Sequence, residues 1–211
     1  MVYFFSDLDK ISDTYLINYE KYVSEIRRKY SKKYKFQIDR KLSIIVFILL
    51  RVGLFREFGI RNKIEVYKHE NGKPYLDGFP NLFISFSHCK NAVACGISTS
   101  NIGVDVQEYV NFDESVAERF FCSDEIKQIS MDSNGFTKLW TLKESFCKYK
   151  GTGLSAKIRD VNIFDFNFSM NTLFYKSFVL SVISNTKEKV VYIDMEEINS
   201  IISDLDAYEY T

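Results

Sequence analysis

Proline is nearly missing from this chain, with two residues in 211, and glycine is sparse at nine. No stretch therefore has the composition of a linker, and the length suits one large domain or two small ones sharing an interface. Histidine is as rare as proline, at two. Cys89, Cys95, Cys122 and Cys147 show no Cys-x-x-Cys spacing, so neither a zinc site nor a disulfide framework is indicated. The opening M-V-Y-F-F-S-D-L-D-K lacks a basic start followed by an apolar run, so no secretory signal is visible. The longest apolar run, Ile44 to Leu50, is too short to span a bilayer and ends at Arg51. Net charge is lacking too, with 28 basic against 28 acidic residues, which argues against a whole-surface field for nucleic acid or membrane. The expectation is a reduced, soluble, cytoplasmic protein.

What is present is core material: 46% of residues are hydrophobic and 16% aromatic. Charge is uneven along the chain. Arg27, Arg28, Lys29, Lys32, Lys33, Lys35, Arg40 and Lys41 stand against the single acid Asp39, whereas 194–211 is acidic. The pattern predicts a helix over 13–30, a buried helix from about Arg40 to Phe58 ended by Gly59, a short strand at 64–67 and a turn at N-G-K-P, 71–74. Leu82–Ser87, Ala92–Ser98 and Ile102–Gln107 read as an antiparallel meander. A polar helix follows Val110, and Ser123 is placed to cap the next one. Strand-like runs return at 164–168, 173–183 and 189–193, before a helix over 196–205. Each half thus holds a helix and about three strands, and F-V-L-S-V-I-S at 178–184 loosely echoes A-V-A-C-G-I-S at 92–98.

The richest stretch runs from Phe136 to Ser155. Phe136, Leu139, Leu142, Phe146 and Tyr149 recur at helical spacing and make an apolar face. Trp140, Glu144 and Lys148 form a second row four residues apart, and Gly151 and Gly153 stop the helix. A carboxylate beside the ammonium groups of Lys143 and Lys148 suits a metal–phosphate site; a solvated Glu144–Lys148 surface pair fits the same spacing. In the strand at 102–107, Ile102, Val104 and Val106 face one way and Gly103, Asp105 and Gln107 the other. Asp105 then sits mid-strand in apolar company, where a carboxylate is costly unless paired or coordinated. Taken singly, His88 reads as well as a hydrogen-bonded turn residue, and Lys73 as a solvated one.

Taken in order, N-G-K-P-Y at 71–75, F-S-H at 86–88, I-G-V-D-V at 102–106, W-x-x-K-E-x-x-x-K from Trp140 to Lys148 and G-x-G-L-S at 151–155 resemble the 4′-phosphopantetheinyl transferase family, in its large single-chain, surfactin-synthetase-activating type. The resemblance covers about the whole chain. It implies an α/β (α+β) fold of two similar halves related by a pseudo-twofold axis: 1–101 on the adenine and 3′-phosphate side of a cleft, and 102–211 carrying the metal and the catalytic helix. It further implies transfer of the phosphopantetheine arm of coenzyme A to a serine of an acyl, peptidyl or aryl carrier protein, with magnesium, or manganese in its place, as cofactor. Asp105, Glu144 and Gln107 become metal ligands, and Glu144 and Lys148 catalytic residues. Arg40, Lys73, Pro74, Ser87, His88, Lys143 and Lys148 become coenzyme A contacts, with Arg27 or Arg28 as helpers. One departure stands out: many members carry an acid where this chain has Gln107, which implies weaker metal affinity or a preference for manganese. A monomer is expected, with no nucleic-acid or membrane partner. The alternatives are a non-catalytic relative that binds coenzyme A or carrier proteins, and an unrelated metal-dependent phosphohydrolase, which would want more carboxylates or histidines than are present.

Overall fold

The computed structural model describes residues 1–130, 132–154 and 156–209. Its first strand, β1 (Val2–Phe5), leads into helices α1 (Asp13–Tyr19), α2 (Glu25–Ser31) and α3 (Gln37–Phe58). Strands β2 (Val66–Lys68), β3 (Pro74–Leu76), β4 (Phe83–His88), β5 (Val93–Ser98) and β6 (Ile102–Glu108) follow. Then come helices α4 (Glu114–Phe120), α5 (Ser123–Gln128) and α6 (Ser133–Lys150), strands β7 (Ser169–Phe174), β8 (Phe178–Ser184) and β9 (Val190–Tyr192), and helix α7 (Met195–Glu209).

The apolar run Ile44–Leu50 is buried on every side, as a helix without a polar stripe has to be. It forms the middle of α3, which lies between β5 on one side and α1, α2 and α7 on the others. Helix and sheet approach so closely that a Cβ at Gly53 would meet Ile97 Cδ1 at 2.4 Å. The helix ends where expected, at Gly59 with φ 65°.

Among the described residues the strands form a six-stranded sheet, in the order β2-β3-β4-β5-β1-β9, and a three-stranded sheet, β6-β8-β7. The chain is α+β, with α3 on the first sheet and α6 on the second. A common apolar layer joins the sheets, built from Phe4, Ala94, Ile102, Val104, Phe178 and Val182. None of the described helices is long and apolar enough to cross a membrane.

Several expectations are revised. The helix read over 13–30 is two helices: Ser24 caps α2 with a hydroxyl that accepts from the Arg27 amide at 3.1 Å, a start signal hidden inside the continuing apolar periodicity. Cys122, not Ser123, is the N-cap of α5, and the Glu125 carboxylate reaches back to its amide at 2.9 Å. The run 164–168 holds a 3-10 turn, Ile163–Asp165, and 173–183 resolves into the β7–β8 hairpin. The meander stops at two strands. β4 and β5 pair antiparallel, but β6 pairs with β8 in the other sheet, Asp105 opposite Ser181.

The reason is written in β4. Its Ser85 and Ser87 hydroxyls accept from the Val104 and Val106 amides at 2.9 and 3.2 Å, so the edge of β6 turned away from β8 is satisfied by side chains rather than by a strand. Its face is closed by α6, which passes so near that a Cβ at Gly103 would stand 1.9 Å from the Ser145 carbonyl oxygen. The chain passes from the first sheet to the second between Ser98 and Ile102. The chain then returns: β9 pairs parallel with β1, and Ile198, Ile201 and Ile202 of α7 join the core around α3.

Candidate active site

Asp105 is turned by the alternation of β6 away from the apolar layer and toward α6, and it is only 6% exposed. A buried carboxylate needs donors, and two elements supply them. The Ser87 hydroxyl of β4 donates to Oδ1 at 2.8 Å, and the Lys148 ammonium of α6 reaches the same oxygen at 2.7 Å. Lys148 also donates to Ser87 Oγ at 3.0 Å, closing a triangle between three elements. Glu144 lies one turn before Lys148 on the same face of α6. Burial, and then the neighbouring charge of Asp105, raise its pKa above the usual glutamate value, while Lys148 pulls the other way.

These residues open on a cavity of 860 Å³ that also receives Gln107, His88 and Trp140. Burial, seconded by the Lys148 charge, depresses His88, so its imidazole is biased toward the neutral form. The Cys147 thiol on the same wall is pushed up to about 11 by burial and by Glu144, which leaves it protonated and inert near neutral pH.

On the first-half side, Lys73 and Pro74 line the cavity. The Lys73 ammonium is directed into the end of α6: it donates to the Tyr149 carbonyl at 2.7 Å and to Asn101 Oδ1 at 3.1 Å, and burial lowers its pKa. The arginine that reaches the cavity is Arg27. Its guanidinium lies over the Phe47 and Phe86 rings, 5.5 and 5.7 Å from their centroids, and donates to Ser43 Oγ at 3.2 Å. The basic run offers several equivalent candidates; only the α2–α3 packing singles this one out.

Two predicted residues are not brought to the cavity. Arg40 is one turn into α3 and donates through Nε to Glu20 at 3.0 Å, tying α1 to α3. Lys143 faces the opposite side of α6. It is fully buried in an ion pair with Glu125 at 2.8 Å and donates to the Ile158 carbonyl at 2.9 Å. The resemblance implied coenzyme A contacts for both; their partners in the structure are 20 and 18 residues distant. Sequence reading missed the tyrosine wall of Tyr30, Tyr34 and Tyr67, since a tyrosine on an amphipathic element reads as core. The motif glycines Gly151 and Gly153 line the cavity, while Ser155 lies outside the described residues.

The oxygen donors of Asp105, Glu144 and Gln107 share this cavity. Among the described residues no group of three or more His, Cys, Asp or Glu is arranged to hold a metal. Two carboxylates and an amide nevertheless fit a magnesium-like cation, which prefers hard oxygen ligands, keeps waters and takes the remainder from a substrate phosphate. Carboxylates facing a lysine and a histidine along an open cleft are groups that could receive a phosphate together with its counter-cation.

The family model of the 4′-phosphopantetheinyl transferase superfamily matches residues 101–192, which contain β6 and α6 with Asp105, Gln107, Glu144 and Lys148. Over this segment the chain is similar to that superfamily, and the order of motifs and the site they build agree with the likeness. Among individual proteins it is similar to the 4′-phosphopantetheinyl transferase gsp of Aneurinibacillus migulanus, 30% identical over 164 residues that cover 75% of this chain and 65% of that one. It is also similar to psf-1 of Bacillus pumilus, 27% identical over 140 residues covering 64% and 60% of the two chains. With Sfp of Bacillus subtilis strain 168 it is 24% identical over 148 residues, covering 67% and 66%. The chain thus spans slightly less than two thirds of the length of these curated relatives.

Proposed function

We propose that this chain transfers the 4′-phosphopantetheine arm of coenzyme A to a serine hydroxyl of an acyl, peptidyl or aryl carrier protein. One observation carries the reading. Four motifs far apart in sequence, at 73–74, 87–88, 105–107 and 144–148, meet in one cavity with room for a nucleotide. The carrier serine oxygen forms a bond to the phosphorus bearing the pantetheine, the bond from that phosphorus to the bridging oxygen breaks, and adenosine 3′,5′-bisphosphate leaves with the electron pair. Glu144 is the group to take the serine proton, directly or through water. Its raised affinity for a proton makes it a stronger base than an exposed glutamate, a role typically worth about 10² to 10⁴ in rate. Lys148 offers its ammonium to the pyrophosphate, and Arg27 and His88 offer charge and hydrogen bonds at the nucleotide end.

Magnesium, or manganese in its place, would be held by Asp105, Glu144 and Gln107, and would supply charge neutralisation at the phosphates. Arg40 and Lys143, engaged in their own ion pairs, act at a remove from the nucleotide. A cytoplasmic monomer is the simplest form of this reading, because both walls of the cavity come from one chain.

The test is intact-mass analysis of an apo carrier protein incubated with this chain, coenzyme A and Mg²⁺, beside a metal-free control. A gain of one phosphopantetheine that requires metal and Glu144 is expected. Binding of coenzyme A with no gain on several carrier types would instead support a non-catalytic binding relative. The neutral Gln107 is the feature that favours that second reading.

A further inference from the structure

We propose that Lys148 is an internal counter-cation: in the free protein it occupies Asp105, and it has to exchange from that carboxylate to a phosphate of the nucleotide before Asp105 can hold a divalent cation. The inference rests on the function proposed above and specifies the order in which its site is filled. Oδ1 of Asp105 takes the Lys148 ammonium at 2.7 Å and the Ser87 hydroxyl at 2.8 Å. A carboxylate oxygen has two lone pairs, so these two donors saturate it. A dication at either oxygen would stand beside the ammonium and be repelled by it.

Gln107 sharpens the effect. An acid at that position would add a negative charge, whereas the amide leaves Asp105, Glu144 and Lys148 with a sum of one negative charge while the ion pair holds. Departure of Lys148 raises it to two. A pyrophosphate in the cavity is the natural competitor for the lysine, because an ammonium binds phosphate as a point charge and its flexible stem lets it swing. Nucleotide and cation then favour each other's binding, reciprocally.

The test measures Mn²⁺ binding to the whole chain, by the electron paramagnetic resonance of the free ion, with and without coenzyme A. Lys148→Met is expected to tighten Mn²⁺ binding in the absence of coenzyme A by about ten-fold, within the usual range of coupling between sites. Lys150→Met is the charge control. It removes the same charge from the end of α6, where that ammonium lies over the Phe166 and Phe146 rings at 5.3 and 5.8 Å rather than on Asp105, and should leave Mn²⁺ binding unchanged. Coenzyme A should tighten Mn²⁺ by a larger factor in the natural chain than in Lys148→Met. Lys148→Gln, with a melting curve for each variant, guards against misfolding. Binding by both Lys148 variants no tighter than natural, or an equal gain in Lys150→Met, overturns the proposal. Mn²⁺ binding by no form, with or without coenzyme A, would fail the metal-site reading itself, and the proposal with it.

Discussion

Some side chains in this molecule hold the fold, others face the cavity, and Ser87 does both. Ser85 belongs to the first kind, since its hydroxyl is the partner of the buried Val104 amide. Ser85→Ala should therefore cost about 1 to 3 kcal/mol, the desolvation cost of an orphaned amide, read from the urea midpoint. Glu144 and Asp105 belong to the second kind. Glu144→Gln should lower turnover by about 10² to 10⁴ and Asp105→Asn by a comparable factor, each with a near-natural melting temperature. A near-natural rate in either would remove it from the site. Periodicity put Asp105, Glu144 and Lys148 beside apolar faces, and the family resemblance gave them their proposed roles; the structure brings all three to one cavity. The resemblance implied coenzyme A contacts for Arg40 and Lys143, and the structure turns both to partners away from the cavity. The partners are Glu20 and Glu125, and only tertiary packing makes them neighbours.

At the scale of elements, α6 carries two functions on opposite faces. One face presents Trp140, Glu144 and Lys148 to the cavity; the other buries Lys143 against Glu125 and the carbonyls of the 3-10 turn Ala156–Asp160 and the residue after it. Breaking that ion pair strands a buried charge. Lys143→Met should cost about 3 to 5 kcal/mol, and the Lys143→Met, Glu125→Leu pair distinctly less, in matched denaturant titrations. Limited proteolysis should cut the single variant within 156–163 faster than the natural chain, because the lysine is one of the ties of that segment. A loss no larger than a surface substitution would show that the pair does little. Helix ends were legible where a glycine stops the pattern, as at Gly59 and Gly151, and not where a cap such as Ser24 sits inside continuing periodicity. The assignment of β6 to the second sheet was not legible. Its partner β8 lies more than 70 residues on in the sequence, and the two serines that satisfy its other edge look like ordinary residues of a strand.

In the whole molecule the first sheet is completed from the end of the chain. The return of β9 and α7 to the first sheet was not legible, because three strand residues carry no mark of which sheet they enter. Removing 190–211 should bare the outer edge of β1 and the α3 surface covered by Ile198 and Ile202. The shortened chain is expected to aggregate or to lose its cooperative thermal transition, measured by light scattering and circular dichroism. A soluble, cooperatively melting product would show that the first half closes without its last strand. The same pairing bears on manufacture. A ribosome releases β1 and β5 well before β9, so the outer edge of β1 stays unpaired while the second sheet is made. Completion of the first sheet is thereby deferred until β9 is made, and that unpaired edge is the strand-addition hazard of the nascent chain.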